Sequence, residues 1–209
     1  MCLSSSAGLA SQRPPCEKVD AVKYDRTVVA YHGCDAALAR QVLAGKRELK
    51  PSKNDYDWLG EGIYFWEYGA DRALQFAHDQ VQRGRVRNPT YLGALIQLGK
   101  CFDLMDTRFT ADLREAFPLW RDRLIADGRT LPVNGGGPDK LLRRLDCAFL
   151  NWYLERIAQK DEPYDSVRCG FVEGKPVFEG SGIMEQSHVQ LAIRNPSCIV
   201  GLFRPNMDK

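Results

Sequence analysis

The stretch GEGIYFWEYGADRALQFA, residues 60–77, combines an extended segment with the start of a helix. Its glycines permit a tight entry into the extended segment. Period-two alternation there places Ile63 and Phe65 on the face opposite Tyr64, so the tyrosine ring can line a cleft while its neighbours anchor in the core. Apolar residues then recur three and four apart over residues 69–82, which predicts an amphipathic helix.

Periodicity and turn residues outside this stretch predict a mixed set of strands and helices. Strands are predicted at residues 27–31, 91–103, 166–172, 188–194 and 198–203, and helices at 35–44, 110–127 and 139–159. Asp35 is the expected N-cap of the first helix and Gly45 its stop, Gly99 marks a bend, and Pro118 can break the second helix. Strands and helices do not alternate strictly, which favours an α+β fold over a doubly wound sheet.

Composition sets broad limits on function. The chain has 209 residues, of which 44% are hydrophobic and 27% charged, which predicts a globular protein with a continuous core. Residues 1–22 mix Ser, Gly, Pro and charged residues without periodicity, so we expect a disordered tail there and a single domain over 23–209. A net charge of +2 is too small to indicate a nucleic-acid partner by itself. Seven cysteines without a C-x-x-C pair indicate a reducing compartment and no metal site. No apolar run is long enough for a membrane span, which predicts a cytoplasmic protein without a membrane partner.

Three short motifs contain candidate site residues. In Tyr31-His32-Gly33, the imidazole can donate to a sugar hydroxyl, and the glycine lets backbone groups reach a carboxamide such as that of nicotinamide. The ring of Tyr64 can attract a cationic pyridinium by roughly 0.5 to 2 kcal/mol. Taken alone, the first motif has a simpler alternative, a histidine that caps a strand. The alternative for Tyr64 is an aromatic ring buried in the core.

In the third motif, HVQLAI at residues 188–193, polar and aliphatic residues alternate at the start of the segment. Period two places His188 and Gln190 on one face and the aliphatic residues on the other. A polar face on such a strand is either solvated or bound to a ligand, because unpaired buried polar groups cost about 1 to 3 kcal/mol each.

Together these residues resemble the H-Y-E/Q signature of the ADP-ribosyltransferase fold of the diphtheria-toxin and poly(ADP-ribose) polymerase type. Residues 60–77 are similar to that family's G-x-G-I-Y-F segment and the following helix, which carries a second stacking residue near Phe76. LGALIQLGKCFDL resembles the next family strand. The resemblance covers about residues 28–103 and 166–203, with a helical insertion at about 104–163, and it implies split antiparallel sheets.

In this family, NAD lies in the cleft between the sheets. The resemblance implies that His32 holds a ribose hydroxyl, that Gly33 binds the carboxamide and that Tyr64 stacks on nicotinamide, with His188 beside the cofactor. Gln190 stands where the family usually has a glutamate. Glu185, together with Glu179, lies just upstream in the loop that recognises the acceptor in the family. Because glutamine supplies no negative charge, single transfer is favoured over chain elongation.

The expected function is therefore mono-ADP-ribosyl transfer from NAD to a protein or nucleic-acid acceptor, with release of nicotinamide. Small bacterial members include toxins and phage-defence effectors, which suggests an antitoxin partner. An NAD glycohydrolase and an inactive NAD or ADP-ribose binding module are the alternatives.

Other features have simpler interpretations. His32-x-Cys34 is a weak candidate for a metal site or a thiol-imidazole pair. Residues 134–137 (NGGG) lack the lysine of a phosphate loop and are typical of a flexible connector. Arginines that could reach phosphates are more simply explained as a solvated face; they are Arg83, Arg85, Arg87, Arg143 and Arg144.

Overall fold

The computed structural model describes residues 24–206, so the predicted tail at 1–22 lies outside the described residues. Seven strands form one sheet in the order β4-β5-β6-β2-β1-β3-β7. The strands are β1 (Tyr24–Asp35), β2 (Ile63–Glu67), β3 (Pro89–Gly99), β4 (Cys101–Asp103), β5 (Ser166–Phe171), β6 (His188–Ile193) and β7 (Ile199–Phe203). The helices are α1 (Ala36–Leu43), α2 (Ala70–Gln82), α3 (Thr107–Ala126) and α4 (Arg144–Ala158), and a short 3-10 turn covers Pro196–Cys198.

The α+β class is confirmed, since helices accompany a mainly antiparallel sheet in which only β4 and β5 are parallel. The expected split into two sheets is wrong in its simple form, because the seven strands are joined by hydrogen bonds. The joint between β1 and β2 nevertheless contains only two residue pairs, Ala30 with Glu67 and Tyr31 with Trp66. Beyond these pairs β1 and β2 separate, which leaves a gap within the single sheet.

Buried side chains form two clusters on either side of the sheet. One contains Ile63 and Phe65 of β2 with Leu191 and Ile193 of β6. The other packs α3 and α4 against the opposite face and includes Ala192 of β6. The predicted alternation in β2 and β6 is therefore confirmed, with aliphatic residues of one phase directed into the first core.

Most element boundaries match the predictions within a few residues. Asp35 caps α1 by accepting from the backbone N of Ala37 at 2.8 Å, and Gly45 follows that helix with φ 66°. β1 continues to Asp35 and does not end at His32-Gly33, because β3 pairs with it that far. The predicted break at Pro118 is wrong, since α3 runs through it without interruption.

The fourth helix begins later than predicted, at Arg144 instead of residue 139. Asn134 Oδ1 accepts from the backbone N of Leu145 at 2.9 Å and from that of Asp146 at 3.3 Å, so a residue distant in sequence caps the first turn. Residues 134–137 are thus anchored to α4, which corrects the flexible connector expected there. None of the helices within residues 24–206 is long and apolar enough to cross a membrane.

Candidate functional site

A cavity of about 450 Å³ opens where β1 and β2 part. Its walls come from the end of β1, from β2, α2 and β6, and from the loops after α1 and β5. The lining includes four of the predicted site residues on the sheet, His32, Gly33, Tyr64 and Gln190, together with the predicted Phe76 of α2. The structure therefore brings together residues that are far apart in sequence.

The gap arises from one missing backbone pair. Continuing the β1–β2 register by two residues would place Gly33 opposite Tyr64. Val29 O accepts from Tyr68 N at 3.0 Å, so every second residue of β1 presents its backbone groups to β2, and Gly33 belongs to this set. β2 does not pair with Gly33, so the backbone N–H and C=O of this glycine have no partner in that strand, and Gly33 lines the cavity.

The imidazole of His32 takes the place of the missing pair. Its Nδ1 lies 2.8 Å from the carbonyl oxygen of Tyr64. Burial lowers the pKa of His32, an effect that the hydrogen bond to Tyr64 opposes. A carbonyl oxygen only accepts, so Nδ1 carries the proton and Nε2 of the neutral ring is an acceptor. The predicted donor role of His32 is thus corrected: a sugar hydroxyl would donate to Nε2.

Gly33 also has a packing role that the sequence did not indicate. A Cβ at this position would lie 2.0 Å from the backbone oxygen of Ala73 in α2. The glycine is therefore required for the close approach of α2 to β1, in addition to leaving its backbone groups at the cavity.

Tyr64 lines the cavity, packs against the second core cluster and has a fully hydrogen-bonded hydroxyl. The hydroxyl donates to Gly60 O at 2.7 Å and accepts from Leu59 N at 2.8 Å. Burial, followed by the nearby Asp57 carboxylate, raises the pKa of Tyr64 well above its usual value. Its hydroxyl therefore stays protonated and fixes both the ring and the loop before β2.

Two further aromatic side chains, Trp66 and Phe76, line the cavity together with Tyr64. Phe76 of α2 is partly exposed and its ring centroid lies 5.1 Å from that of Trp66. Trp66 is in turn the cross-strand partner of Gln190. The cavity is thus bordered by aromatic surface on two elements, which is suited to flat rings.

One end of the cavity has unsatisfied hydrogen-bonding atoms. Within residues 24–206, buried atoms without a hydrogen-bond partner belong to three lining residues, at Trp66 Nε1, Arg72 Nε and Gln190 Oε1, and to two residues outside the lining, at His188 Nε2 and Arg143 Nε. Such atoms are costly to bury unless a ligand or water satisfies them. The two polar side chains predicted for one face of β6 are therefore buried, and each has one unpaired atom that a ligand could satisfy.

His188 lies behind the lining. Its Nδ1 is 2.7 Å from Gln186 O and 3.4 Å from Oε2 of Glu173. Burial lowers its pKa to about 4, so the ring is neutral at pH 7. Glu185 is exposed in the loop between β5 and β6 and does not line the cavity.

Two residues missed by sequence analysis complete this end. Glu173 follows β5, lines the cavity and is only 4% exposed in its side chain. Arg72 of α2 donates to its Oε2 from Nη2 at 2.9 Å. Burial raises the pKa of Glu173, while Arg72 lowers it. The available signal was Glu173-Gly174, a polar residue followed by a glycine, as in His32-Gly33.

The arginines have different roles. Arg83 and Arg85 line the cavity, as does Lys50. Arg143 is not on a solvated face, because its guanidinium lies 4.1 Å from the ring centroid of Trp58. Arg144 pairs with Asp55 at 3.2 Å.

The thiol of Cys34 does not form a nucleophile with His32. Burial raises its pKa to about 11, with Asp35 as a second cause, so the thiol is protonated at neutral pH.

Comparison with known proteins finds little similarity. No family model matches the chain, and no solved structure matches it. A stretch of 37 residues is 49% identical to an uncharacterized protein of Methanocaldococcus jannaschii, and it covers 18% of this chain and 17% of that protein. Since the similarity is confined to a short segment, functional inference depends on the geometry of the cavity.

Proposed function

We propose that this protein is an NAD-dependent mono-ADP-ribosyltransferase that binds NAD in the cavity between β1 and β2. In this proposal the gap within the sheet is this chain's form of the cleft in the ADP-ribosyltransferase fold. ADP-ribose is transferred to a macromolecular acceptor, either protein or nucleic acid, and nicotinamide is released.

The missing Gly33–Tyr64 backbone pair is the observation that carries the proposal. It leaves a donor and an acceptor of Gly33 at the cavity, and a carboxamide offers the complementary acceptor and donor. The ring of Tyr64 borders the same space, where a cationic pyridinium gains attraction from an aromatic face. One ligand group that combines a carboxamide with a pyridinium is nicotinamide in NAD.

The remaining walls suit the rest of the dinucleotide. His32 Nε2 accepts from a ribose hydroxyl, and Gln190 Oε1 can accept from a second one. Arg83 and Arg85 lie on the same cavity and supply positive charge for the diphosphate. Phe76 and Trp66 offer aromatic surface for a flat ring.

The decisive experiment combines NAD binding with nicotinamide release. Purified protein is titrated with NAD in a calorimeter, and nicotinamide is measured by chromatography, with His32→Ala as the paired variant. We expect saturable binding and steady release by the wild type, and release reduced at least tenfold in His32→Ala. Absence of binding at millimolar NAD would refute the proposal.

Labelled NAD then separates the three activities. Label transferred to protein or nucleic acid in a lysate supports the transferase, whereas release without transfer supports the glycohydrolase. Binding without release supports an inactive binding module. Expression of wild type and His32→Ala at equal levels tests a toxin role, which predicts slower growth with the wild type and relief by an antitoxin partner.

A further inference from the structure

Among the residues that the structure describes, Glu173 is the one buried acid that lines the cavity. The other carboxylates that line it are Asp35, Asp57 and Asp79, and each of them hydrogen bonds to backbone or amide groups nearby. Glu173 is instead 4% exposed and lies beside the cluster of unsatisfied polar atoms. This position gives its charge the greatest effect on a ligand, because charges interact more strongly away from water.

Both contacts of Glu173 fall on the same carboxylate oxygen. Arg72 Nη2 and His188 Nδ1 approach Oε2 at 2.9 and 3.4 Å. Arg72 makes a single contact here, because its Nη1 is directed to Gln186 Oε1 at 3.4 Å. In the described part of the chain, the second oxygen of Glu173, Oε1, has no hydrogen-bond partner.

Burial is the largest influence on the pKa of Glu173 and raises it. Arg72 is the nearest cation, and Arg143 also favours the carboxylate, against burial and the charge of Asp139. His188 is neutral at pH 7 and adds no charge. The cavity wall thus contains a buried carboxyl group, which pairs with Arg72 at 2.9 Å, and the neutral side chain of Gln190.

We propose that Glu173 is a catalytic residue, whose carboxylate supplies through Oε1 the negative charge that Gln190 lacks. This inference rests on the proposed function. When the bond between the ribosyl carbon and nicotinamide breaks, the electron pair leaves with nicotinamide and the ribosyl group becomes cationic. Glu173 stabilises this cation while Gln190 holds a ribose hydroxyl. The acceptor, or water, then forms the new bond and its proton goes to solvent.

The test is nicotinamide release by Glu173→Gln, which removes the charge and keeps the shape. We expect kcat to fall by about 10²-fold, with the Kd for NAD changed by less than about threefold, because the charge acts on the transition state. Glu155→Gln is the matched control, since it makes the same chemical change on the exposed side of α4 and should release nicotinamide at the wild-type rate.

Moving the charge provides a second readout. In the Glu173→Gln background, Gln190→Glu should recover at least tenfold in kcat, which a purely structural role for Glu173 does not predict. Should Glu173→Gln fail to fold, Glu173→Asp keeps the charge and withdraws it by one methylene, and we expect about a tenfold lower kcat. An unchanged kcat in folded Glu173→Gln or Glu173→Asp would overturn the inference. A wild type that releases no nicotinamide would instead overturn the proposed function.

Discussion

Substitution of His188 by glutamine should make the fold less sensitive to acid. The imidazole is 2% exposed in its side chain and its pKa is lowered from 6.5 to about 4, chiefly by burial. The native chain therefore stays unprotonated at this site between these two values, whereas the unfolded chain takes up a proton. Stability from this site is complete above pH 6.5 and is lost as the pH falls towards 4.

The size of the effect follows from these two pKa values. At pH 7.5 the site contributes almost no difference between the folded and unfolded chains. At pH 5 nearly all unfolded molecules carry the proton and about a tenth of native ones do, which lowers the free energy of unfolding by about 2 kcal/mol. Since glutamine does not titrate, His188→Gln should lack this part of the loss.

Urea denaturation followed by tryptophan fluorescence measures the free energy of unfolding for both proteins at pH 7.5 and pH 5. All other titrating groups are common to both chains, so the difference between the two losses isolates position 188. We expect the wild type to lose about 2 kcal/mol more than the variant. Equal losses, within about 0.5 kcal/mol, would mean that His188 is not buried in its neutral form.

Four further substitutions, at three positions, test the packing and ligand-binding roles of individual side chains. Tyr64→Phe should lower the free energy of unfolding by about 1 to 3 kcal/mol, because it leaves the two backbone partners of the hydroxyl unpaired, but it should retain NAD affinity. Tyr64→Ala should in addition weaken NAD affinity by about tenfold or more, measured by calorimetry. Gly33→Ala should cost about 1 to 3 kcal/mol in chemical denaturation, because its Cβ would meet Ala73 O at 2.0 Å. Asn134→Ala should cost about 1 kcal/mol through loss of the α4 cap, and an unchanged denaturation midpoint would contradict that role.

Local patterns were sufficient to predict the elements that hold the site. The alternation correctly placed Ile63 and Phe65 in the first core and Tyr64 on the opposite face, where it packs against the second core and lines the cavity, because side-chain direction in a strand depends only on period two. The cap of α1 was also predictable, since Asp35 bonds within its own turn. Such features are encoded by residues that are close in sequence.

Features that depend on distant contacts were not predictable in this way. The late start of α4 results from Asn134, which bonds to backbone groups more than ten positions away. The tautomer of His32 depends on a carbonyl in another strand. Glu173 lies outside the described strands, and its buried side chain pairs with Arg72 of α2, which is far from it in sequence. Strand order and partner identity decided these three cases, and neither has a local signature.

The two-pair joint between β1 and β2 gives ligand binding a mechanical consequence. The first core cluster packs side chains from both halves of the sheet, but β1 and β2 form backbone pairs only at Ala30 and Tyr31. A ligand held by both Gly33 and Tyr64 would bridge β1 and β2 where their backbone pair is missing, and would so connect the two halves of the sheet. Occupancy would then slow amide hydrogen exchange in both strands beside the gap, so the substrate would serve as a reversible structural part of the sheet.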